Sequence, residues 1–324
     1  TGIPSLIGYA KPESSHNNSL VSALNVKLFF DIGHIKISSN FSSIFAMHRS
    51  IHDEWNFVYI CYLNALNLSL RMNSLELIAL KHFPLIEPLD DLVEIIYESI
   101  KSNNIQINNN DVIVIAQKVI SKAEDRYINL DEIEITNKAK QLADKLNKNE
   151  GLMQAIINES NKIISTEKNV VIVEHKLGFI NINAGIDQSN ILQDKNLALL
   201  LPENPSKSAK DIQKKLSEIF NKNISIIISD SMTRPYRSGV INFALSSHNI
   251  QSLIDLKGEK DMFGNKLRGT EIAVADELAS AAGLLMGQSD EGKPVIIIKG
   301  FNKSAYKVND AFDLIVDESE DLYR

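Results

Sequence analysis

With 324 residues, 44% of them apolar and 23% charged, the chain can bury one large core or two ordinary ones and has the composition of a soluble globular protein. Its formal net charge of −7 excludes a general nucleic-acid binder, so local lysines and arginines read as site residues rather than a phosphate-backbone patch. The single cysteine, Cys61, excludes an intramolecular disulfide or a thiolate metal cluster and suits a reducing cytoplasm.

Residues 1–71 differ in composition from the rest, holding only 9 of the 75 charged residues but the only Trp, the only Cys and four of the seven His. No helical or strand period emerges there, whereas MNSLELIALKHFPLI, from Met72, opens on a well-formed strand. The expectation is that residues 1–71 are an atypical extension, either upstream sequence or poorly ordered, and that Met72 is the native start. The run FVYICYLNALNLSL, residues 57–70, is too short and too interrupted by Asn64 and Asn67 for a membrane span, and it lies too far into the chain for a signal peptide.

From Met72 onward strands and helices alternate, which predicts an α/β subunit with some α+β character. A strand over 75–80 and a helix over 89–102 come first. A strand over 111–117 then turns into Lys118, Ser121 and Lys122; Lys122 could neutralise a phosphate or lie on a solvated turn. Helices are expected over 134–148 and 152–165, followed by strands over 169–174 and 178–183. The second of these strands leads into Gly185, Asp187 and Asn190, an acid beside a permissive turn and an amide able to bond a ligand oxygen. LLPENPSKSAKD connects to a helix over 207–220 with Ser208 as a candidate cap. His175 and His248 read as structural, since nothing pairs them into a triad or zinc site.

The most informative stretch is ISIIISDSMTRPYRSG, residues 224–239, in which a strand over 224–229 runs into Asp230, Ser231, Arg234 and Arg237. A carboxylate beside a hydroxyl suits Mg²⁺ or Mn²⁺, and guanidinium groups suit phosphate or carboxylate oxygens. Either this is an anionic-substrate site built around a cation, which Asp187 and Asp230 could share, or it is a turn with solvated charges. A strand over 240–246, a charged arm over 255–271, a helix over 271–286 and a strand over 294–299 complete the chain. GQSDEGKP, residues 287–294, imitates a P-loop in spacing, but it follows a helix, precedes a strand and has Pro294 where a hydroxyl residue is needed.

Taken in order, HFPLI, VIAQKVISKAEDR, GFININAGIDQSN, LLPENP, ISDSMTRPYRSG and KDMFGNKLRGTEIAVADELASAAGLLMGQSDEGKPVIIIKG resemble the coenzyme F-420:L-glutamate ligase family, the F-420-0 γ-glutamyl ligases, across residues 72–324. The resemblance implies a two-lobed mixed-sheet subunit, a cytoplasmic homodimer, and GTP-dependent addition of L-glutamate to F-420-0 and then, through a γ-linkage, to F-420-1. It also implies two divalent ions per site, Mg²⁺ or Mn²⁺, with K⁺ as a further candidate ion. Carried over by motif, Asp187 and Asp230 would hold one ion and Ser231 with Gln288 a second. GTP would contact Phe83, Pro84, Leu85 and Ile86; Gln117, Lys118 and Lys122; Asn190; and the loop Met286, Gly287, Gln288, Ser289, Asp290, Glu291, Gly292 and Lys293. Lys122, Arg234 and Arg237 are the catalytic candidates, the two arginines for the acceptor phosphodiester or glutamate carboxylates.

Two positions depart from the family pattern Ser-Asp-Thr-x-Gly-Arg. Ser231 stands for Thr and keeps the hydroxyl, while Thr233 stands for Gly and would resist a positive φ, so a differently shaped loop is expected before Arg234. Amide formation from a free carboxylate calls for an acyl phosphate, and phosphoryl transfer calls for positioning and charge neutralisation more than a covalent nucleophile. A metal-dependent phosphohydrolase or nucleotidyltransferase, and a GTP-binding module without catalysis, are the alternatives.

Overall fold

The computed structural model describes residues 74–191, 196–301 and 308–322. The expectations placed on residues 1–71 and on Met72, the apolar run 57–70 among them, lie outside that range. The first described elements are β1 (Glu76–Ala79), α1 (Leu92–Ser102), β2 (Val112–Ala116), α2 (Gln117–Ala123) and β3 (Tyr127–Asn129). Next come α3 (Asn137–Leu146), α4 (Glu150–Asn158), β4 (Ser160–Ser165), β5 (Ile172–His175), β6 (Ile180–Ile182), β7 (Leu197–Leu199) and α5 (Pro205–Phe220). The chain continues through β8 (Ser225–Arg234), β9 (Arg237–His248), β10 (Leu253–Asp255), β11 (Glu271–Ala273), α6 (Val274–Met286) and β12 (Val295–Lys299).

Three of the strands are near-continuous β-branched runs, VIVIA in β2, SIIIS within β8 and VIIIK in β12, the pattern of strands covered on both faces. They form the centre of a five-stranded sheet ordered β1-β12-β2-β8-β9, in which β2 and β8 run parallel and the other neighbours antiparallel. Alternation then sends Ile113, Ile115, Ile226, Ile228 and Ile297 into a core closed by α1 and α5. Val112, Val114, Ile227, Ile296 and Ile298 face the other way, onto Ala275, Leu278, Ala279 and Ala282 of α6. The alanines leave room for close approach of helix and sheet, and each fully buried isoleucine of these layers contributes about 2–3 kcal/mol.

A smaller lobe has its own core of Leu130, Ala143, Leu146, Met153, Ile156, Val173 and Ala198, drawn from α3, α4, β5 and the antiparallel pair β3-β7. The three-stranded sheet β4-β5-β6 completes it, giving the mixed α/β, two-lobed subunit expected from the sequence. All described residues fall within one compact unit, Leu70–Arg324. Among them no helix is long and apolar enough to cross a membrane.

Several local expectations need correction. Residues 118–123 form helix α2, which starts directly after β2 without a side-chain cap, rather than a turn. The helix expected over 152–165 stops at Asn158, and its second half is β4, because pairing with β5 outweighs the local helical pattern. The strand expected from 169 starts at Ile172, since Lys168 and Asn169 are left-handed, and the first three residues of the expected helix 271–286 form β11. Asn204, not Ser208, caps α5, accepting from the Lys207 N–H with Pro205 in the first turn. The strand expected to end at residue 229 continues to Arg234 and turns through Pro235 and Tyr236 into β9. Asp230 and Ser231 are therefore strand residues paired with Phe243 and Asn242. The positive φ angles of this hairpin fall at Tyr236 (59°) and Gly239 (83°), and Thr233 keeps an extended conformation in the strand, beside a register shift, in keeping with its expected resistance to a positive φ.

Candidate functional site

The parallel register of β2 and β8 pairs Ala116 with Ser229, so the next residues, Gln117 opening α2 and Asp230 within β8, lie together at the carboxyl end of β2. Such a carboxyl edge is where open α/β sheets hold their ligands. Since α2 begins at Gln117, Lys118 and Lys122 follow four residues apart on one helical face. Gln117 and Ser121 are buried behind them, Ser121 Oγ donating to Gln117 Oε1 at 2.9 Å.

Asp187 reaches this edge from the smaller lobe. The chain leaves β6 through Asn183, Ala184 and Gly185, all left-handed with φ of 51°, 54° and 66°. A Cβ on Gly185 would meet the Leu201 side chain at 2.9 Å, so both conformation and space favour glycine. Asp187 then exchanges two backbone hydrogen bonds with Leu199 of β7, which fixes its position. Its Oδ2 lies 2.6 Å from Lys118 Nζ, and its Oδ1 accepts the Ser189 N–H at 2.7 Å. Burial pushes the Asp187 carboxyl up, but the bonds from Lys118 and Ser189 outweigh it and hold the group below the usual carboxylate range.

The loop that follows is clamped from two sides. Lys118 Nζ also donates to the Ser189 carbonyl and hydroxyl at 3.2 and 3.1 Å, and Lys122 Nζ donates to the Asn190 carbonyl at 2.8 Å. Asn190, left-handed at φ 52°, donates through Nδ2 to the Ser289 carbonyl at 3.0 Å. Thus α2, the Asp187–Asn190 loop and the 287–293 loop form one connected arc. Burial lowers the Lys122 ammonium, helped by the Lys118 charge and opposed by Asp187.

Asp230 is the most perturbed group. Its Oδ1 accepts the Ser231 N–H at 2.8 Å, while its Oδ2 is shielded from solvent and, among the described residues, has no donor in hydrogen-bonding geometry, the Gln117 side chain lying close by. Burial, reinforced by the Asp187 charge, raises it to about 7; the Ser231 N–H, Lys118 and Gln117 pull the other way. Ser231 points to the opposite face of β8, where its cross-strand neighbour Asn242 accepts a hydrogen bond from Gln288 Nε2 at 2.8 Å. Residues 287–293 follow α6 and precede β12, as the failed P-loop match requires. Gly287 and Gly292 are left-handed, and the Glu291 carboxylate folds over Gly287 to accept the Ser289 N–H at 2.9 Å.

The other sequence candidates lie around this arc. Phe83 to Ile86 occupy the segment between β1 and α1, with Ile86 buried, Phe83 packed on the core and Leu85 89% exposed. Leu89, just beyond, donates its N–H to the Ala123 carbonyl at the end of α2, which ties the segment to the lysine helix. Arg234 and Arg237 face each other at the β8-β9 turn, about 13 Å along the strand from Asp230 at roughly 3.3 Å per residue. Arg234 donates to the Gly239 carbonyl at 3.5 Å, and among the described residues neither arginine forms an ion pair with Asp187 or Asp230.

Asp187, Asp230, Ser231 and Gln288 offer oxygen donors only, the set suited to a hard divalent cation. Among the described residues no cluster of three or more His, Cys, Asp or Glu surrounds them. One divalent ion would draw on Asp187 and Asp230, and a second on the Ser231 hydroxyl and the Gln288 carboxamide across the strand, each with substrate oxygens or water completing its shell, as Mg²⁺ sites do. The unpartnered Oδ2 of Asp230 is the kind of buried oxygen that such an ion satisfies, and the residues present fit it. Sequence reasoning missed Asn242 and the Lys118–Asp187 ion pair. The signal for Asn242 was a lone amide in the apolar run VINFAL; the ion pair joins residues 69 positions apart and had none.

Residues 81–300 match the family model described as "F420-0:Gamma-glutamyl ligase". The chain is 42% identical over 218 residues to the "Coenzyme F420:L-glutamate ligase" of Methanocaldococcus jannaschii, covering 67% of this chain and 86% of that protein. It is 39% identical over 227 residues to the protein of the same name from Methanothermobacter thermautotrophicus, covering 70% and 89%. Identity to the Methanopyrus kandleri protein of that name is 35% over 259 residues, 78% of this chain and the whole of that protein.

Proposed function

The chain belongs to the F420-0:Gamma-glutamyl ligase family, and on that premise we propose that it joins L-glutamate to coenzyme F-420-0, and by γ-linkage to F-420-1, at the expense of GTP. The observation that carries the site assignment is the shielded, unpartnered Oδ2 of Asp230 at the carboxyl edge of the parallel strands, facing the Asp187–Lys118 pair. Divalent ions, when bound by Asp187, Asp230, Ser231 and Gln288, would neutralise phosphate charge and help to align the triphosphate.

The chain's own residues supply the rest. Lys118 and Lys122, held on one face of α2, would supply two ammonium groups to phosphate oxygens in exchange for their bonds to Asp187, Ser189 and Asn190, and the 287–293 loop, tied to Asn190 through the Ser289 carbonyl, would close beside them. With the triphosphate fixed, the acceptor carboxylate attacks the γ-phosphorus, GDP departs, and an acyl phosphate forms. The glutamate amine then attacks the acyl carbon, the amide forms and phosphate leaves. No side-chain nucleophile is needed, in keeping with His175 being buried and stacked on Phe179. Arg234 and Arg237, well removed from the aspartates along the hairpin, are positioned for the far end of an extended acceptor or for glutamate carboxylates. Exposed Met262 and Phe263 at the tip of the arm between β10 and β11 support its use as a contact in a homodimer.

Acceptor carrying ¹⁸O in its carboxylate tests this chemistry. Transfer of one label to the released phosphate is expected, with GDP formed only when acceptor is present. Phosphate free of label, or GTP hydrolysis indifferent to acceptor and glutamate, would favour a phosphohydrolase instead.

A further inference from the structure

We propose that Asn242 is a positioning residue that sets the orientation of the Gln288 carboxamide, so that its oxygen and not its nitrogen is offered to a divalent cation. The inference rests on the reading of Gln288 as a metal ligand. Asn242 lies in β9 and is buried (7% exposed), paired across the sheet with Ser231. Its Nδ2 points at Met286 Sδ (3.8 Å) and Ser229 Oγ (3.5 Å). A thioether sulfur only accepts, so the amide end of Asn242 belongs on that side and its Oδ1 must face away. Oδ1 is the atom that receives Gln288 Nε2 at 2.8 Å. A polar relay follows, Gln288 Nε2 to Asn242 Oδ1 and Asn242 Nδ2 to Met286 Sδ, and among the described residues no hydrogen bond is donated to Gln288 Oε1.

The surroundings hold Asn242 rigidly. Ser280 Oγ of α6 donates to its backbone carbonyl at 2.6 Å. Gly283 makes the space, since a Cβ there would come 2.6 Å from Asn242 Oδ1. Gln288 itself is exposed on the loop after α6, where an unrestrained carboxamide turns over freely. One end of a flipped Gln288 would present N–H donors to a cation, so fixing the flip matters more for a glutamine ligand than for a carboxylate, whose two ends are alike.

That difference provides the test. Mn²⁺ alone is titrated into the full chain and the unbound ion followed by electron paramagnetic resonance, in wild type, Gln288→Ala, Asn242→Ala, Asn242→Asp, Gln288→Glu and the double variant Gln288→Glu/Asn242→Ala. Gln288→Ala is expected to weaken one Mn²⁺ equivalent. Asn242→Ala is expected to weaken that same equivalent by about 10-fold or more, the usual effect of removing a ligand's orienting partner. Asn242→Asp keeps the acceptor and does not weaken it. In the Gln288→Glu background, where there is no flip to fix, Asn242→Ala has no further effect. Equal losses from Asn242→Ala in both backgrounds would reveal a general structural role and overturn the proposal, as would unchanged affinity in Asn242→Ala. Unchanged Mn²⁺ binding in Gln288→Ala would instead overturn the ligand assignment beneath it.

Discussion

His175 ends β5 with its side chain 4% exposed, its ring stacked on Phe179 at 5.1 Å and its Nδ1 accepting the Leu177 N–H at 2.9 Å. Burial lowers its pKa from 6.5 to about 4, against the pull of Glu159, whose Oε2 is 3.7 Å from Nε2, and with the help of Lys176 and Arg126. The unfolded chain therefore binds this proton more readily than the folded one. The neutral histidine's contribution is intact above pH 6.5 and is lost as pH falls from there toward 4. At about 1.4 kcal/mol per pH unit the full difference is about 3 kcal/mol, of which about 2 kcal/mol disappears between pH 7 and pH 5. The perturbation is His175→Asn, whose side-chain oxygen can still accept the N–H two residues on. Urea unfolding of both proteins across this range gives the stability gap at each pH. The variant is expected to be less stable at pH 7 through lost packing on Phe179, with the gap narrowing by about 2 kcal/mol at pH 5. A gap that stays constant or widens on acidification would refute the argument.

Three further outcomes are expected. Lys118→Met removes the 2.6 Å contact with Asp187 and both bonds to Ser189, and should lower kcat/KM for GTP by about 100-fold while changing stability by under about 1 kcal/mol, because the pair is partly exposed; steady-state kinetics with thermal melts check both parts. Gly287→Ala must seat a Cβ at φ 72° against the Glu291 carboxylate, so it should raise the KM for GTP and destabilise by about 1–2 kcal/mol, as read from titration and unfolding. Asp230→Asn removes a buried carboxylate with an unpartnered oxygen; glutamate addition should vanish while the Tm above pH 7 holds or rises, and a lower Tm would count against the assignment.

The central strands were legible because both faces of the sheet are covered, which leaves uninterrupted runs such as SIIIS and VIIIK with no competing helical period. The approach of Asp187 to the Asp230 edge could be anticipated only as two acids near strand ends; the parallel register of Ala116 with Ser229 and the bridge of Asp187 to Leu199 bring them together. Local pattern misled wherever tertiary pairing decided the outcome. NKIIS continues the helical spacing of α4 yet pairs with β5, and QKVISKA follows β2 so closely that no capping residue marks the helix start. Asp230 reads as the end of an apolar run, but strand pairing is a backbone property, and β9 carries it on to Arg234. Asn242 stayed hidden for the same reason, since its role depends on which residue lies opposite it and on the space left by Gly283.

The central claim is the ligation itself, and mass spectrometry of the deazaflavin tests it most directly. The full chain is incubated with F-420-0, L-glutamate, GTP and Mn²⁺, and the products are weighed with and without GTP and with Asp230→Ala. A glutamate-sized increase that requires GTP and disappears in the variant is the predicted result. GTP consumed with no change in deazaflavin mass, or glutamate added without GTP, would contradict it.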